Sequence, residues 1–343
     1  MGGIDMTYEE VMKQARFEVG PYCKVCPVCN GRACKNQIPG PGAKGIGDVA
    51  IRNYDQWQQI RVNMDTIGEN VEPDTSIELF GNKFAYPFFA GPVGAMRMHY
   101  GDKYDDEEYN QILVSACAEN GIAAFTGDGI DPNVFLAATR AIKDNNGRGI
   151  PTIKPWNMDT IHEKLDLVFE SGAMMAAMDI DAAGLPFLKN MEPPAGNKTV
   201  EDLALIVHDA ERPFIIKGIM TVKGAKKAYE AGASAIVVSN HGGRVLDQTP
   251  ATAEVLEEIV EWNEGRMKIF VDGGIRTGID VFKALAMGAD AVLIARPFVQ
   301  AVYGGQAEGV RLYIEKLAAE LKDTMVMCGA TDIKSISRKM IRR

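Results

Sequence analysis

The chain has 343 residues, 46% of them hydrophobic and 24% charged, with a formal net charge of −9, values typical of a globular protein with a large buried core. The negative charge argues against a nucleic-acid partner, because phosphate binding needs a cationic face. No stretch approaches the ~20 apolar residues of a membrane span, and the first residues lack the apolar core of a signal peptide, so we expect a cytoplasmic protein.

Residues 1–83 are predicted to form an N-terminal cap. A helix from about Tyr8 to Glu18 leads into a segment rich in Cys, Gly and Pro, Cys23–Gly47 (the cysteine segment), and a second helical stretch follows near Asp55–Met64. This part has too few apolar residues for a core of its own. We therefore expect it to cover one end of the main domain rather than to fold as a separate domain.

From residue 84 to residue 343 a unit recurs, in which a short apolar run is followed by a polar turn and an amphipathic helix. The runs are Phe84–Gly91, Ile122–Gly127, Ile150–Pro155, Met174–Asp181, Phe214–Gly218, Ala235–Ser239, Lys268–Asp272 and Ala291–Ala295. Eight such units predict an α/β fold, a TIM (β/α)8 barrel, with an open doubly wound sheet as the alternative. The long polar loop Pro186–Thr199 would lie on the catalytic face as a mobile lid.

Polar residues collect directly after the later strands, where βα loops build the active site of such a barrel. They are Lys217, the run Ser239 to Arg244, the run Asp272 to Arg276, and Arg296. Glycines let backbone N–H groups approach an oxyanion, and arginine adds a bidentate charge. The loops after strands seven and eight are therefore predicted to bind a phosphate.

His241 follows an apolar strand directly and precedes two glycines that keep it accessible. Imidazole suits proton abstraction near neutral pH. Arg244, three residues further on, offers the planar fork that holds a carboxylate. Lys217, one strand earlier, supplies a cation that would stabilise negative charge developing in the site.

The string Ser239-Asn240-His241-Gly242-Gly243-Arg244-Val245-Leu246-Asp247 closely resembles the active-site signature of the FMN-dependent 2-hydroxy-acid dehydrogenases, which include glycolate and lactate oxidases. The resemblance extends over Lys217, Asp272–Arg276 and Ala295–Pro297, and weakly over the barrel from about residue 84. It implies FMN as cofactor, a small 2-hydroxy acid as substrate, and a homo-oligomer, commonly a tetramer.

The resemblance also implies roles for the matching residues. His241 would take the proton of the substrate hydroxyl while hydride passes to flavin N5, Asp181 would orient that histidine, and Arg244 would bind the substrate carboxylate. The predicted cofactor-binding residues are Pro92, Val93, Gly94, Thr126, Lys154, Lys217, Ser239, Gly242, Asp272, Gly274, Arg276, Ala295 and Arg296. Among these, Gly274, Arg276 and Arg296 would hold the phosphate, and Lys217 and Ser239 would contact the flavin ring.

The chain departs from the family pattern around the substrate. It has no tyrosine in Thr152–Trp156, where the family has one after strand three, and Lys154 lies near the usual flavin-binding glutamine. The family's N-terminal tyrosine and its second carboxylate-binding arginine also have no match; Leu188 and Lys189 stand at the position expected for that arginine. We therefore expect a rebuilt substrate pocket, which leaves glycolate, lactate and larger 2-hydroxy acids all open as substrates.

Four of the six cysteines, Cys23, Cys26, Cys29 and Cys34, lie within twelve residues. Their spacing is not that of a zinc ribbon, and it is close to but not the same as that of a ferredoxin run. A [4Fe–4S] cluster, a structural zinc, and reduced thiols or disulfides all stay open, because thiolate suits both metals. An iron–sulfur centre would let the flavin pass electrons to a protein acceptor.

Two other functions compete with 2-hydroxy-acid oxidation. One is a non-redox flavin enzyme similar to the type 2 isopentenyl diphosphate isomerases, which share this barrel. The other is a flavin or metal protein without its own chemistry, such as an electron carrier or a metal sensor. Oxidation is favoured, because His241 and Arg244 together supply the proton removal and carboxylate binding that it requires.

Overall fold

The computed structural model describes residues 6–343 except residues 69, 186, 187 and 189. Eight parallel strands form a closed barrel, in which each strand pairs with the next along the chain and the eighth pairs with the first. They are β1 (Phe88–Ala90), β2 (Ala124–Thr126), β3 (Gly149–Ile153), β4 (Ala176–Asp179), β5 (Phe214–Ile219), β6 (Ala235–Val238), β7 (Lys268–Val271) and β8 (Ala291–Ile294). The predicted (β/α)8 barrel is confirmed, and the open-sheet alternative is wrong.

The observed strands are shorter than the apolar runs that predicted them. The run Met174–Asp181 contains β4, which ends at Asp179 and is followed by a 3₁₀ turn over Ile180–Gly184. Phe84 belongs to a small antiparallel hairpin of Ile77–Leu79 and Asn82–Phe84 that precedes the barrel. Apolar sequence marks burial, and burial continues into the turns that pack against the strand ends.

Large side chains fill the inside of the barrel. The rings of Phe89, Phe125 and Phe270 meet edge to face, with centroids 5.8 to 6.3 Å apart. All three side chains are buried. The barrel is therefore a packed core rather than a channel, and a ligand can bind only at one of its ends.

Two helices belong to the cap. The first, α1 (Tyr8–Glu18), has the predicted bounds and begins with a capping box between Thr7 and Glu10. The second, α2 (Asp48–Gln59), begins earlier and ends earlier than the predicted stretch Asp55–Met64, which was wrong in its bounds. Arg61–Val62 instead pairs as a short strand with Ile341–Arg342 near the C-terminus.

The remaining helices surround or follow the barrel. They are α3 (Met96–Tyr100), α4 (Asp106–Glu119), α5 (Pro132–Asp144), α6 (Met158–Glu170), α7 (Val200–Asp209), α8 (Val222–Glu230), α9 (Thr252–Asn263), α10 (Gly278–Ala286) and α11 (Arg296–Met327). Helix α11 is interrupted at Gln306, where the backbone leaves the helical conformation. Among the described helices, none combines the length and the hydropathy needed to cross a bilayer.

Helix α2 packs on the loops that follow β6 and β7. The side chain of Asn53 exchanges hydrogen bonds with that of Asn240 at 2.7 and 2.9 Å. The indole of Trp57 donates to the carbonyl of Gly273 at 2.7 Å. Both cap side chains are buried, so the cap covers the carboxyl ends of the strands.

Gly274 allows α2 this close approach. Its φ is +85°, and a Cβ atom there would lie 2.4 Å from the backbone of Asn53. We expect Gly274→Ala to lower the free energy of unfolding by about 3 kcal/mol, through backbone strain and displacement of α2. Urea-induced unfolding measures this loss.

Gly265→Ala is the matched control, because Gly265 also has a positive φ, +78°, but nothing lies near its Cβ position. It should cost only about 1 kcal/mol, the strain of a left-handed residue. Equal losses in the two variants would contradict the close packing of α2 on Gly274.

Candidate active site

One cavity lies at the carboxyl ends of the barrel strands, between the βα loops and the cysteine segment. Gly40 and Pro41 contribute to its wall from the cap side. Most of the predicted site residues line it: Pro92, Val93, Gly94, Lys154, Lys217, His241, Gly242, Arg244, Asp272, Gly274, Arg276, Ala295 and Arg296. The fold thus brings together residues that are more than 200 positions apart in the sequence.

Three predicted residues lie behind the wall of this cavity. Asp181 contacts His241 from the turn after β4. Ser239 is fully buried, and its hydroxyl accepts the backbone N–H of His241 at 3.1 Å. Thr126 is buried at the end of β2, and its hydroxyl has no hydrogen-bond partner among the described residues.

His241 and Asp181 form a hydrogen-bonded pair. The Nδ1 atom of His241 lies 3.0 Å from Oδ1 of Asp181. A carboxylate at Nδ1 holds the proton on that nitrogen, so Nε2 is left as the proton acceptor. Gly218 on β5 makes room for the carboxylate, because a Cβ atom there would lie 2.6 Å from Asp181. The geometry is that of a general base with an orienting acid.

Lys217 lies between two carboxylates. Its Nζ atom is 2.9 Å from Oδ1 of Asp179 and 3.8 Å from Oδ2 of Asp272. Burial disfavours its charge, but the two carboxylates outweigh burial and raise the pKa of Lys217. Burial of Asp272 raises the pKa of that carboxyl group. Lys217 is therefore a permanent cation in the wall of the cavity.

Arg244 connects the cavity to the cysteine segment. One of its terminal nitrogens donates to the carbonyls of Gly40, at 2.5 Å, and Gly42, at 3.0 Å. Burial lowers the pKa of the guanidinium, which nonetheless stays charged. Arg244 is thus a desolvated cation on the cavity wall, suited to an organic anion.

The residues predicted to hold a phosphate fit that group. In Arg276, Nε donates to the carbonyl of Cys29 at 2.7 Å, while the buried Nη2 has no partner within the described chain. Arg296 lines the same end of the cavity, and Gly274 presents its backbone there. Two guanidinium groups, one with an unused donor, beside a side-chain-free turn form an anion-binding end.

A family model described as "FMN-dependent dehydrogenase" matches residues 41–183 and 179–343 of this chain. The matched regions contain every residue of the cavity wall from Pro41 onward. The chain belongs to this family. FMN is the cofactor of that family, and the anion-binding end described above suits its phosphate.

Among curated proteins, the chain is similar to a peroxisomal (S)-2-hydroxyacid oxidase of Arabidopsis thaliana, with 46% identity over 142 residues. It is also similar to a glycolate oxidase of Spinacia oleracea, with 42% identity over 141 residues. Each match covers 41% of this chain; the first covers 39% of its relative's length and the second covers 38%. The chain therefore spans about two fifths of the length of these relatives.

Solved structures resemble nearly the whole chain. A mandelate oxidase variant with 2-hydroxy-phenylacetamide has a TM-score of 0.79 and 25% identity, covering 98% of this chain and 97% of its own. Another mandelate oxidase variant, with a monooxide FMN adduct, has a TM-score of 0.75 and 27% identity over 89% of this chain and 93% of its own. A Pediococcus acidilactici lactate oxidase, at 24% identity, shares the fold with a TM-score of 0.78, over 98% of this chain and 94% of its own.

Asp128, which the sequence did not single out, organises the strand-three side of this family member's site. Its buried carboxylate accepts the backbone N–H of Lys154 at 3.0 Å, the indole N–H of Trp156 at 2.6 Å, and a bond from Lys164 at 2.9 Å. Trp156 lies in the stretch where the family pattern has a tyrosine. Its indole is hydrogen-bonded to Asp128 and does not line the cavity. The absence of a tyrosine at this position of the pocket stays a prediction from the family resemblance.

His99 and Tyr100, on α3, line the cavity near the cap. Burial, with Arg244 and Lys154 nearby, lowers the pKa of His99 to about 3, so this imidazole is neutral. Its Nδ1 atom accepts the backbone N–H of Gly40 at 3.0 Å. From the sequence, the place of His99 just past the first strand made it a candidate to border the site, whereas nothing pointed to Tyr100.

The four clustered cysteines lie half-buried beside the anion-binding end, and none is in a disulfide. Zn–S bonds of about 2.3 Å would place tetrahedral sulfurs about 3.8 Å apart. In residues 6–343, except residues 69, 186, 187 and 189, no three cysteine sulfurs lie within 4.8 Å of one another. The segment is thus not arranged for a single metal ion, and a metal at these cysteines stays a prediction.

Leu188 is buried and lines the cavity, while Lys189, the other residue where a second arginine was expected, is outside the described residues. The predicted lid Pro186–Thr199 also includes residues 186 and 187, which are not described. Its described part contacts the segment that follows β3, because Trp156 forms an isolated antiparallel bridge with Ala195. The lid therefore stays a prediction.

Proposed function

We propose that this chain oxidises the hydroxyl of an (S)-2-hydroxy acid to the 2-oxo acid with FMN as cofactor. The observation that carries this proposal is the meeting of the His241–Asp181 pair with Arg244 and Lys217 around one cavity. The names of the curated relatives describe them as oxidases of such acids, and this chain belongs to the FMN-dependent dehydrogenase family.

Each protein group has a role that its position supports. Arg244 would bind the substrate carboxylate and so orient the 2-hydroxyl. His241 Nε2 would take the hydroxyl proton, and Asp181 would stabilise the imidazolium that results. Bound FMN would supply the acceptor for the hydride from the substrate carbon. Lys217, which lines the cavity, would lie beside the ring, and the carboxylates around it would set how much of its charge the ring experiences.

The substrate side chain would meet an apolar wall. Ile130, Val134, Leu185 and Leu188 line the cavity, and the tyrosine and second arginine of the family pattern have no match here. An apolar wall favours an alkyl or aryl substituent over a hydrogen atom, since burying apolar area contributes about 25 cal/mol per Å². We therefore propose a 2-hydroxy acid larger than glycolate.

Anaerobic reduction of the FMN-loaded protein tests this proposal. Glycolate, (S)-lactate, (S)-2-hydroxyhexanoate and (S)-mandelate are added in turn, and the loss of flavin absorbance is followed in a stopped-flow instrument. We expect bleaching, fastest with the two larger acids. Absence of bleaching with all of them, together with turnover of an allylic diphosphate, would assign the chain to the non-redox isomerases instead.

The cysteine segment supports a second proposal, a [4Fe–4S] cluster held by Cys23, Cys26, Cys29 and Cys34. Four soft ligands within twelve residues suit iron–sulfur or zinc. In a cubane the thiolates bind different irons, so their sulfurs need not approach as closely as around zinc. The segment has no helix or strand between α1 and α2, and a bound metal would stabilise such a loop.

Expression with added iron and anaerobic purification test the cluster. We expect broad absorbance near about 400 nm beyond that of flavin, with close to four irons per chain, and we expect Cys29→Ala to lose both. Cys117→Ala is the control, because Cys117 is buried in α4. One zinc per chain, or no metal at all, would contradict an iron–sulfur cluster.

Assembly, location and electron acceptor follow as proposals from the same features. We propose a homotetramer, by likeness to the family, and a reducing compartment such as the cytoplasm, since none of the six cysteines is paired. A cluster in the cysteine segment would favour a one-electron protein acceptor over oxygen. Light scattering and anaerobic transfer to a small ferredoxin are the corresponding measurements.

A further inference from the structure

Asp179 bridges the two lysines of the cavity. One carboxylate oxygen lies 2.9 Å from Nζ of Lys217, and the other lies 3.9 Å from Nζ of Lys154. Asp179 is only 3% exposed, and it ends β4 with its side chain in the cavity wall. Both lysines were predicted site residues, whereas the acid between them was not.

This acid changes the electrostatic character of the site. A lysine alone beside a flavin stabilises the negative charge that the ring gains on reduction. With a carboxylate at 2.9 Å the pair is close to neutral, and its field on a third group falls steeply. Burial alone would raise the pKa of Asp179, yet Lys217, His241 and Lys154 together lower it, so the carboxylate stays ionised.

Asp272 neutralises the charge of Lys217 to a smaller degree. Its carboxylate lies 3.8 Å from Nζ of Lys217, further away than that of Asp179. Burial raises the pKa of Asp272, whereas the pKa of Asp179 is lowered. Asp179 is therefore the principal countercharge of Lys217. It is also the carboxylate that the two lysines share.

We infer that Asp179 is a positioning residue that opposes negative charge on the bound flavin, by holding and neutralising Lys217. The inference rests on the proposed function in assuming that FMN occupies the cavity with its ring near Lys217. A flavin in this site takes up electrons less readily than one beside an unpaired lysine, and it releases them more readily to a one-electron acceptor.

Sulfite is the probe, because its adduct with oxidised flavin also places negative charge on the ring. In the FMN-loaded protein, we expect Asp179→Asn to tighten sulfite binding at least tenfold. The flavin midpoint potential should rise in parallel, by about 30 mV for each tenfold change in a two-electron couple. Asp179→Ser removes the same charge and serves if the asparagine variant does not fold. Asp179→Glu restores the charge and should return both values toward those of the unaltered protein.

Asp290→Asn is the matched control. Asp290 contacts Lys268 at 2.8 Å, a lysine–aspartate pair of similar length that is partly exposed and lies where β7 begins, at the other end of the barrel. Asp290→Asn should leave the sulfite affinity and the flavin midpoint potential unchanged. Unchanged values in both neutral variants of Asp179, or an equal shift in the Asp290 variant, would overturn the inference. Neither measurement uses a hydroxy acid, so a protein that binds FMN but oxidises no such acid would overturn the proposed function alone.

Discussion

Replacement of His241 by alanine should slow flavin reduction by the best 2-hydroxy acid by roughly 10³- to 10⁴-fold. The variant keeps Arg244 and the anion-binding end, so substrate and FMN should still bind. What it loses is the group whose Nε2 atom is free to take the hydroxyl proton, because Asp181 holds Nδ1 at 3.0 Å. Stopped-flow absorbance measures the rate, and the visible spectrum reports retained FMN.

The surface offers a matched control for this experiment. His162 on α6 also contacts an aspartate, with Nε2 3.2 Å from Asp209, but the pair is exposed. His162→Ala should leave the reduction rate within twofold of the unaltered protein. If His241→Ala with bound FMN still turned over at a comparable rate, His241 could not be the base.

Arg244→Ala is expected to lower kcat/KM for a 2-hydroxy acid by roughly 10²- to 10³-fold, the loss that follows removal of one partner of a desolvated charge pair. Arg244→Lys should recover part of it, since an ammonium keeps the charge but not the planar fork. Steady-state kinetics with each acid give these ratios.

Arg244 also donates to Gly40 and Gly42, so its loss could loosen the cap. The 2-hydroxy amide of the same substrate separates the two effects, because an amide has no negative charge to bind. Carboxylate binding predicts that the preference for acid over amide collapses in the variant. A uniform loss for both compounds would show that Arg244 acts only on the cap.

Arg212→Ala is the control for removing an arginine of this kind. Arg212 donates to backbone carbonyls, including that of Ala173 at 2.6 Å, and it does not line the cavity. It should change stability without changing the preference for acid over amide. The comparison therefore isolates the position of the charge.

The sequence determined the barrel and the chemistry of its later strands. Eight apolar runs are visible because strands buried on both faces are continuously apolar. His241, Arg244 and Lys217 are recognisable because each directly follows or ends such a run, and strand ends share one face of a barrel. The ends of helices and strands were predicted less well than their presence. For example, α2 begins at Asp48, seven residues before the predicted start, and its buried residues include Val49, Ala50 and Trp57.

Tertiary structure alone decided how the charges are paired. Asp179 looks like any strand residue until β4 and β5 come into register, and that register places it opposite Lys217. Likewise, no local pattern places Tyr100 or Gly40 in the cavity or joins Asp128 to Trp156. Local sequence specifies which residues carry charge and where a strand ends. Which charges meet depends on contacts between distant segments, and these determine the field around the site where His241 lies.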